Sequence, residues 1–146
     1  MIRLSEIRNC PVVCGDKRLG VLQEIILDAA QKRVQALIVS CGLRGKRVVA
    51  RSSIVCIADG FILADGFEKY RRSKEEARCC FVRDTLGRLS GYVSDYAIDR
   101  RTLNVFALEI VPGYLPCERR GRFWMYAYAR TDAKSLELTI PALSEL

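Results

Sequence analysis

The chain has 146 residues, half of them hydrophobic, with 24 Lys plus Arg against 17 Asp plus Glu, no histidine and a formal net charge of +7. That composition allows a packed core and excludes wholesale disorder. No apolar run approaches the roughly eighteen residues of a membrane span, and without histidine no Ser-His or Cys-His nucleophilic system can be assembled.

The first ten residues, MIRLSEIRNC, carry charge without an uninterrupted apolar stretch, which predicts no secretory signal and a cytoplasmic location. Seven cysteines are scattered through the chain, an odd number that does not suit a disulfide framework. They read as reduced, small apolar residues. Cys10 with Cys14 and the vicinal Cys79 and Cys80 are the alternative, a weak zinc or redox-sensing set, and no cofactor is expected.

Next comes GVLQEIILDAAQKRVQAL, Gly20 to Leu37, which reads as strand, polar turn, strand. Asp28 closes the first strand, where its side chain can accept backbone amides of the turn. Short strands follow at Lys46 to Ala50, Ile54 to Ile57 and, after the Asp59-Gly60 turn, Phe61 to Ala64. The stretch from Lys69 to Arg78 is highly charged and reads as a linker, either about two helical turns or extended chain.

The pattern then returns. GYVSDYAIDRRTLNVFAL, Gly91 to Leu108, repeats the first segment without a gap at an offset of 71 positions (91 less 20). Gly20 meets Gly91, Asp28 meets Asp99, Val34 meets Val105 and Leu37 meets Leu108, while Glu24 and Asp95 agree in charge. A period this long exceeds a solenoid repeat of roughly 20–50 residues and suits two small domains. Further strands are expected at Phe123 to Tyr128 and Leu136 to Ile140, with the offset grown to about 75 by roughly four extra residues around Leu115 to Glu118. The expected organisation is residues 1–68, linker 69–78 and residues 79–146, an all-β chain of two small barrels packed as a pseudo-twofold pair. In both copies the second hairpin strand is apolar on two faces, as at Phe106, Leu108 and Ile110 opposite Val105 and Ala107, so each requires a second body, most simply the other repeat.

The paired Asp28 and Asp99 read as turn formers, since each holds the same place in its own copy and general acid–base work needs convergence on one site. The most distinctive stretch is RRGRFWMYAYAR, Arg119 to Arg130. On one extended strand Trp124, Tyr126 and Tyr128 would share a face, flanked by Arg119, Arg120, Arg122 and Arg130. Such a surface suits a lobe or subunit interface, and the alternative is base stacking on RNA.

A glycine before an aliphatic strand, an Asp at its end, a polar turn and a V-x-A-L strand together resemble the PRC-barrel family. The matching residues are Leu19, Gly20, Leu22, Ile25, Leu27, Asp28, Val34, Ala36 and Leu37, then Gly87, Gly91, Val93, Ile98, Asp99, Val105, Ala107 and Leu108. That family includes the cytoplasmic part of the photosynthetic reaction-centre H subunit, the C-terminal domain of a bacterial ribosome-maturation factor, and short stand-alone proteins, some linked to sporulation. The second copy departs at Glu109, where the first has Ile38. The resemblance implies a small β-barrel used for docking, with no catalytic residues to carry over. The expected function is therefore a non-enzymatic tandem docking or assembly module, with a protein partner or a second copy of itself. An RNA- or ribosome-associated factor is the alternative.

Overall fold

The computed structural model describes residues 1–71, 79–112, 121–132 and 135–142. The chain begins with β1 (Ile2–Arg3) and a single turn of helix, α1 (Leu4–Ile7). The first lobe then follows as β2 (Pro11–Cys14), β3 (Lys17–Leu27), β4 (Val34–Ser40), β5 (Lys46–Ala50), β6 (Ile54–Ile57), β7 (Ile62–Ala64) and β8 (Glu68–Lys69). The second comprises β9 (Phe81–Asp84), β10 (Leu89–Ile98), β11 (Val105–Val111), β12 (Phe123–Met125), β13 (Ala129–Arg130) and β14 (Glu137–Ile140). The fold is all-β, as two curled sheets.

The two sheets have one topology. The first runs β6-β7-β2-β3-β4-β5-β8 and the second β13-β14-β9-β10-β11-β12 in the corresponding order. Each contains one parallel pair, β2 with β7 and β9 with β14, among antiparallel neighbours. Met125 stands opposite Leu108 as Val49 stands opposite Leu37, so the offset there is 76 (125 less 49). The insertion between β11 and β12 is thus five residues (76 less 71), one more than expected, and most of it lies outside the described residues.

The repeated residues serve backbone geometry. β3 carries a bulge between Leu22 and Glu24, and β10 carries the same bulge between Val93 and Asp95. A bulge inserts one residue and reverses the parity of inward-facing side chains. Leu22, Ile25 and Leu27 are therefore all buried, although their spacing fits no regular strand. The acid at each bulge accepts the next amide, Glu24 Oε1 from Ile25 at 3.1 Å and Asp95 Oδ1 from Tyr96 at 2.8 Å. Gly20 and Gly91 sit where β3 and β10 run close against Ser40 and Val111. A Cβ on either glycine would fall within 3.0 Å of that carbonyl oxygen.

The lobes meet around a local two-fold axis between Arg33 and Asn104, which pair as an antiparallel bridge and are themselves repeat equivalents. Buried residues of both lobes form one continuous core, including Leu22, Leu37 and Ile62 with Ile98, Leu108 and Leu138. The second body expected for the doubly apolar strands is thus the other repeat. One residue departs: Phe106 is 46% exposed while Leu108 and Ile110 on its face are fully buried.

The N-terminal segment crosses between lobes. β1 adds to the second lobe's sheet, with Ile2 opposite Ile98 and Arg3 opposite Ala97. In α1, Ser5 donates its amide (3.1 Å) and its hydroxyl (2.5 Å) to the bulge acid Asp95. β8 reaches into the stretch expected to be linker; the rest of that stretch, from Arg72, lies outside the described residues. Among the described residues no helix is long and apolar enough to cross a membrane.

Candidate functional site

The strand expected from Phe123 to Tyr128 is interrupted. β12 ends at Met125 and pairing resumes only at Ala129, so Trp124, Tyr126 and Tyr128 do not line one face. The first lobe breaks at the equivalent place, between β5 and β6, so the interruption belongs to the shared fold, and here it carries Tyr128 into the interface. Tyr128 is 7% exposed, and its hydroxyl donates to the Gln31 carbonyl at 2.8 Å. Lys32 lies 3.3 Å from the centre of its ring and donates to its carbonyl oxygen. Burial pushes the Tyr128 phenol well above its ordinary pKa, and burial also lowers that of Lys32 against the pull of Asp28.

The same seam holds Arg130, which donates to the carbonyls of Ala29 (2.8 Å) and Ser135 (3.0 Å). Gln31 is its central polar group: Nε2 donates to the Asp28 carbonyl and Oε1 accepts the Cys79 amide at 3.2 Å. Arg51 donates to the Val34 carbonyl of its own lobe and across the axis to the Thr102 carbonyl. Tyr128 and Arg130 are therefore interlobe residues.

Trp124 and Tyr126 go elsewhere. With Phe106, Ala97, Ala107 and the β1 residues Ile2 and Arg3 they line a half-open cleft of about 230 Å³ on the second lobe. Its floor is two alanines, Ala97 and Ala107, which lie opposite each other on β10 and β11. Phe106 and Tyr126 meet edge to face, 5.3 Å between centroids, and the Arg3 guanidinium lies 5.0 Å over the Trp124 ring. Tyr126 is 63% exposed. Arg122, at the entrance to β12, pairs with Glu109 at 3.3 Å. Glu109 is buried but satisfied, since Ser94 also donates to it at 2.8 Å, which explains how a carboxylate stands where the first lobe has Ile38. Arg119 and Arg120 lie outside the described residues.

Sheet register maps this cleft onto the first lobe. Trp124 takes the place of Val48, Tyr126 that of Ala50, Phe106 that of Gln35, and Ala97 that of Ile26. The second lobe has exchanged small or polar residues for three aromatics and opened the floor beneath them. Phe106 was legible as an apolar residue on a two-sided strand, whereas Arg3 carried no sequence signal, because its place depends on β1 crossing over.

The first 69 residues, with their curled sheet and bulged central strand, match the family model for the PRC-barrel domain. Residues 1–69 are a PRC-barrel domain. No curated protein sequence matches the chain. The second lobe repeats the PRC-barrel lobe's strand order, bulge and close-approach glycine.

In the PRC-barrel lobe Asp28 Oδ1 accepts the amides of Lys32 (2.8 Å) and Arg33 (3.1 Å). Asp99 does likewise with Arg101 (2.8 Å) and Thr102 (3.2 Å), and those two amides hold its carboxyl below the ordinary range. Both aspartates act as turn formers. Of the four singled-out cysteines, Cys79 is buried while its neighbour Cys80 is exposed, and Cys10 and Cys14 are half-buried in the other lobe. Burial raises the thiol pKa of Cys79 and of Cys10, as suits reduced apolar residues. Among the described residues no three Cys, Asp or Glu side chains form a group that could hold a metal ion.

Proposed function

We propose that this protein is a non-enzymatic docking module, a tandem PRC-barrel pair in which the second copy carries the binding face. The supporting observation is the aromatic cleft of Phe106, Trp124 and Tyr126, present on one lobe and replaced by Gln35, Val48 and Ala50 on its structural equivalent. Two copies under the same folding constraints share core residues, and a solvent-facing aromatic cluster on one alone serves something outside the barrel. Half-exposed aromatics over a small-residue floor suit an apolar anchor from a protein partner.

Base stacking on RNA has less support, because a stacking platform needs a contiguous exposed row and Tyr128 is withdrawn into the seam. Retention on ribosomal RNA that falls steeply with rising salt would restore that reading.

The docking reading is tested by placing a photo-crosslinking residue at Tyr126 and, separately, at Leu43, a fully exposed position on the first lobe. Irradiation in native extract is expected to give a discrete protein adduct from position 126 and none from position 43. Equal labelling from both positions, or none from either, would remove the docking assignment.

A further inference from the structure

The β4–β5 turn of the PRC-barrel lobe holds a leucine away from the protein. Leu43 is fully exposed at the centre of a single 3-10 turn, Gly42–Arg44, flanked by glycines at positive φ, Gly42 (64°) and Gly45 (80°). Hydrogen bonds brace the turn. The Cys41 amide donates to the Gly45 carbonyl at 2.8 Å and the Gly45 amide to the Gly42 carbonyl at 3.0 Å. Arg47 Nη1 donates to the carbonyls of Arg44 (2.9 Å) and Lys46 (3.0 Å).

Cations gather at the same end of the sheet. Arg44 and Lys46 follow the leucine, and Lys46 stands opposite Ser40 at the end of the β4–β5 ladder. β8 runs toward this end: Lys69 lies opposite Arg47, the Tyr70 amide donates to the Lys46 carbonyl, and Arg71 follows. β3 also extends to the turn's side of Val21, the residue opposite Ser40, and carries Lys17 and Arg18 there. All six cations are exposed, against three exposed acids in the same segments, Asp16, Asp65 and Glu68. Residues 72–78, which lie outside the described residues, hold Arg72, Lys74 and Arg78 against Glu75 and Glu76, so they bring no net negative charge. At the β9–β10 end of the second lobe the cations are paired, Arg88 with Asp84 at 2.9 Å and Arg83 with Glu137 at 3.1 Å.

From this arrangement we infer that the β4–β5 end of the PRC-barrel lobe docks on an anionic lipid bilayer. Leu43 enters the boundary between headgroups and acyl chains, and the cations meet the headgroup charges. A lone exposed leucine is ordinary. A leucine braced outward among cations combines the two forces that hold proteins at a membrane surface, apolar insertion and attraction to anionic lipid. Charge complementarity alone would also admit RNA, but an RNA strand would engage the cations and leave Leu43 in water. This surface is on the other lobe from the aromatic cleft and takes a different ligand. A lipid yields no protein adduct, so position 43 remains a control for the cleft whichever way the vesicle test falls.

The test mixes the full chain with sedimentable vesicles of phosphatidylcholine, alone or with about 30% phosphatidylserine. Co-sedimentation is expected only with the anionic vesicles, half-complete at or below about 1 mM lipid, and it should weaken at least about tenfold between about 50 and 300 mM salt. Leu43→Ser and Arg44→Gln should each weaken binding about fivefold or more. In Leu43→Trp, vesicles with brominated acyl chains should quench the added emission, while Trp124 of the natural chain keeps its own. Both substituted positions are exposed, so the variants should keep their fold, which circular dichroism verifies.

Membrane docking is overturned if no anionic vesicle binds at low salt, if neutral vesicles bind as well, or if Leu43→Ser binds undiminished. Quenching of Trp124 in the natural chain overturns it too, since contact would then lie on the second lobe. Retention on ribosomal RNA by the natural chain and Leu43→Ser alike, without vesicle binding, would make nucleic acid the occupant.

Discussion

The backbone N–H of Val34 donates to the carbonyl of Leu103 at 2.8 Å, and Val105 returns the bond to the carbonyl of Lys32 at 2.7 Å. Val34 and Val105 are equivalent in the repeat, as are Lys32 and Leu103, so the two bonds are one bond seen twice about a local axis. This is the isologous geometry of a two-fold dimer, realised within one chain. Each bond contributes about 1 kcal/mol, and the shared core around them contributes more.

Because the core is continuous across that axis, the lobes are expected to unfold together. Leu37→Ala, in the PRC-barrel lobe, removes a side chain that is 1% exposed and should cost about 2–5 kcal/mol. Its effect should appear equally in Trp124 fluorescence, which reports the other lobe, and in far-ultraviolet circular dichroism. A variant whose fluorescence midpoint stays in place while the dichroism transition splits would contradict the coupling.

Gly20→Ala and Gly91→Ala should each destabilise by about 1–3 kcal/mol, because a methyl group would overlap the facing carbonyl of Ser40 or Val111. Gly91 should be the more sensitive, since its φ of 148° adds backbone strain to the same collision. Urea midpoints of the two variants measure this. Neutral behaviour at both positions would mean that the paired strands can separate at no cost.

Tyr128→Phe deletes the hydrogen bond to the Gln31 carbonyl and should cost about 1 kcal/mol at neutral pH. The variant should also alter the alkaline limb. The native phenol titrates above its unfolded value of 10.0, so its stabilisation is complete below that pH and is lost as pH rises beyond it, where only the unfolded state releases the proton. Thermal midpoints taken from pH 8 to pH 11, bracketing the ordinary tyrosine range of about 10, should therefore fall less steeply for Tyr128→Phe than for the natural chain. Parallel slopes would place the phenol in water.

Asp99 has the opposite sign. Its carboxyl is held below the ordinary value by the amides of Arg101 and Thr102, so its contribution is present above about pH 4 and is lost as pH falls through the native value. Asp99→Asn should flatten the acid limb of the stability profile. A steepened limb in the variant would reverse the assignment.

The hairpins and the turn aspartates were legible in the sequence because their causes lie within a few residues, and the duplication displayed each of them twice; the repeated glycines were visible, but their close approach to Ser40 and Val111 depends on strand pairing. Val34 to Val39 and Val105 to Val111 also pointed to the other repeat as a packing partner, since a strand apolar on two faces requires a second body, but the axis itself appears only in the Arg33–Asn104 bridge. The bulges were not legible. Leu22, Ile25 and Leu27 fit no period of two, and only the pairing with β4 shows where the extra residue enters.

Length, composition and local pattern thus determined an all-β chain of two like lobes, because turn chemistry and side-chain period act over short distances. The tertiary structure alone decided what became of RRGRFWMYAYAR. Tyr128 and Arg130 went to the interlobe seam, while Trp124 and Tyr126 went to a cleft completed by Phe106 and by Arg3 from the far end of the chain. Contacts between residues so far apart in sequence are set by which strand pairs with which, and the crossing of β1 into the second sheet leaves no local trace in the residues that make it.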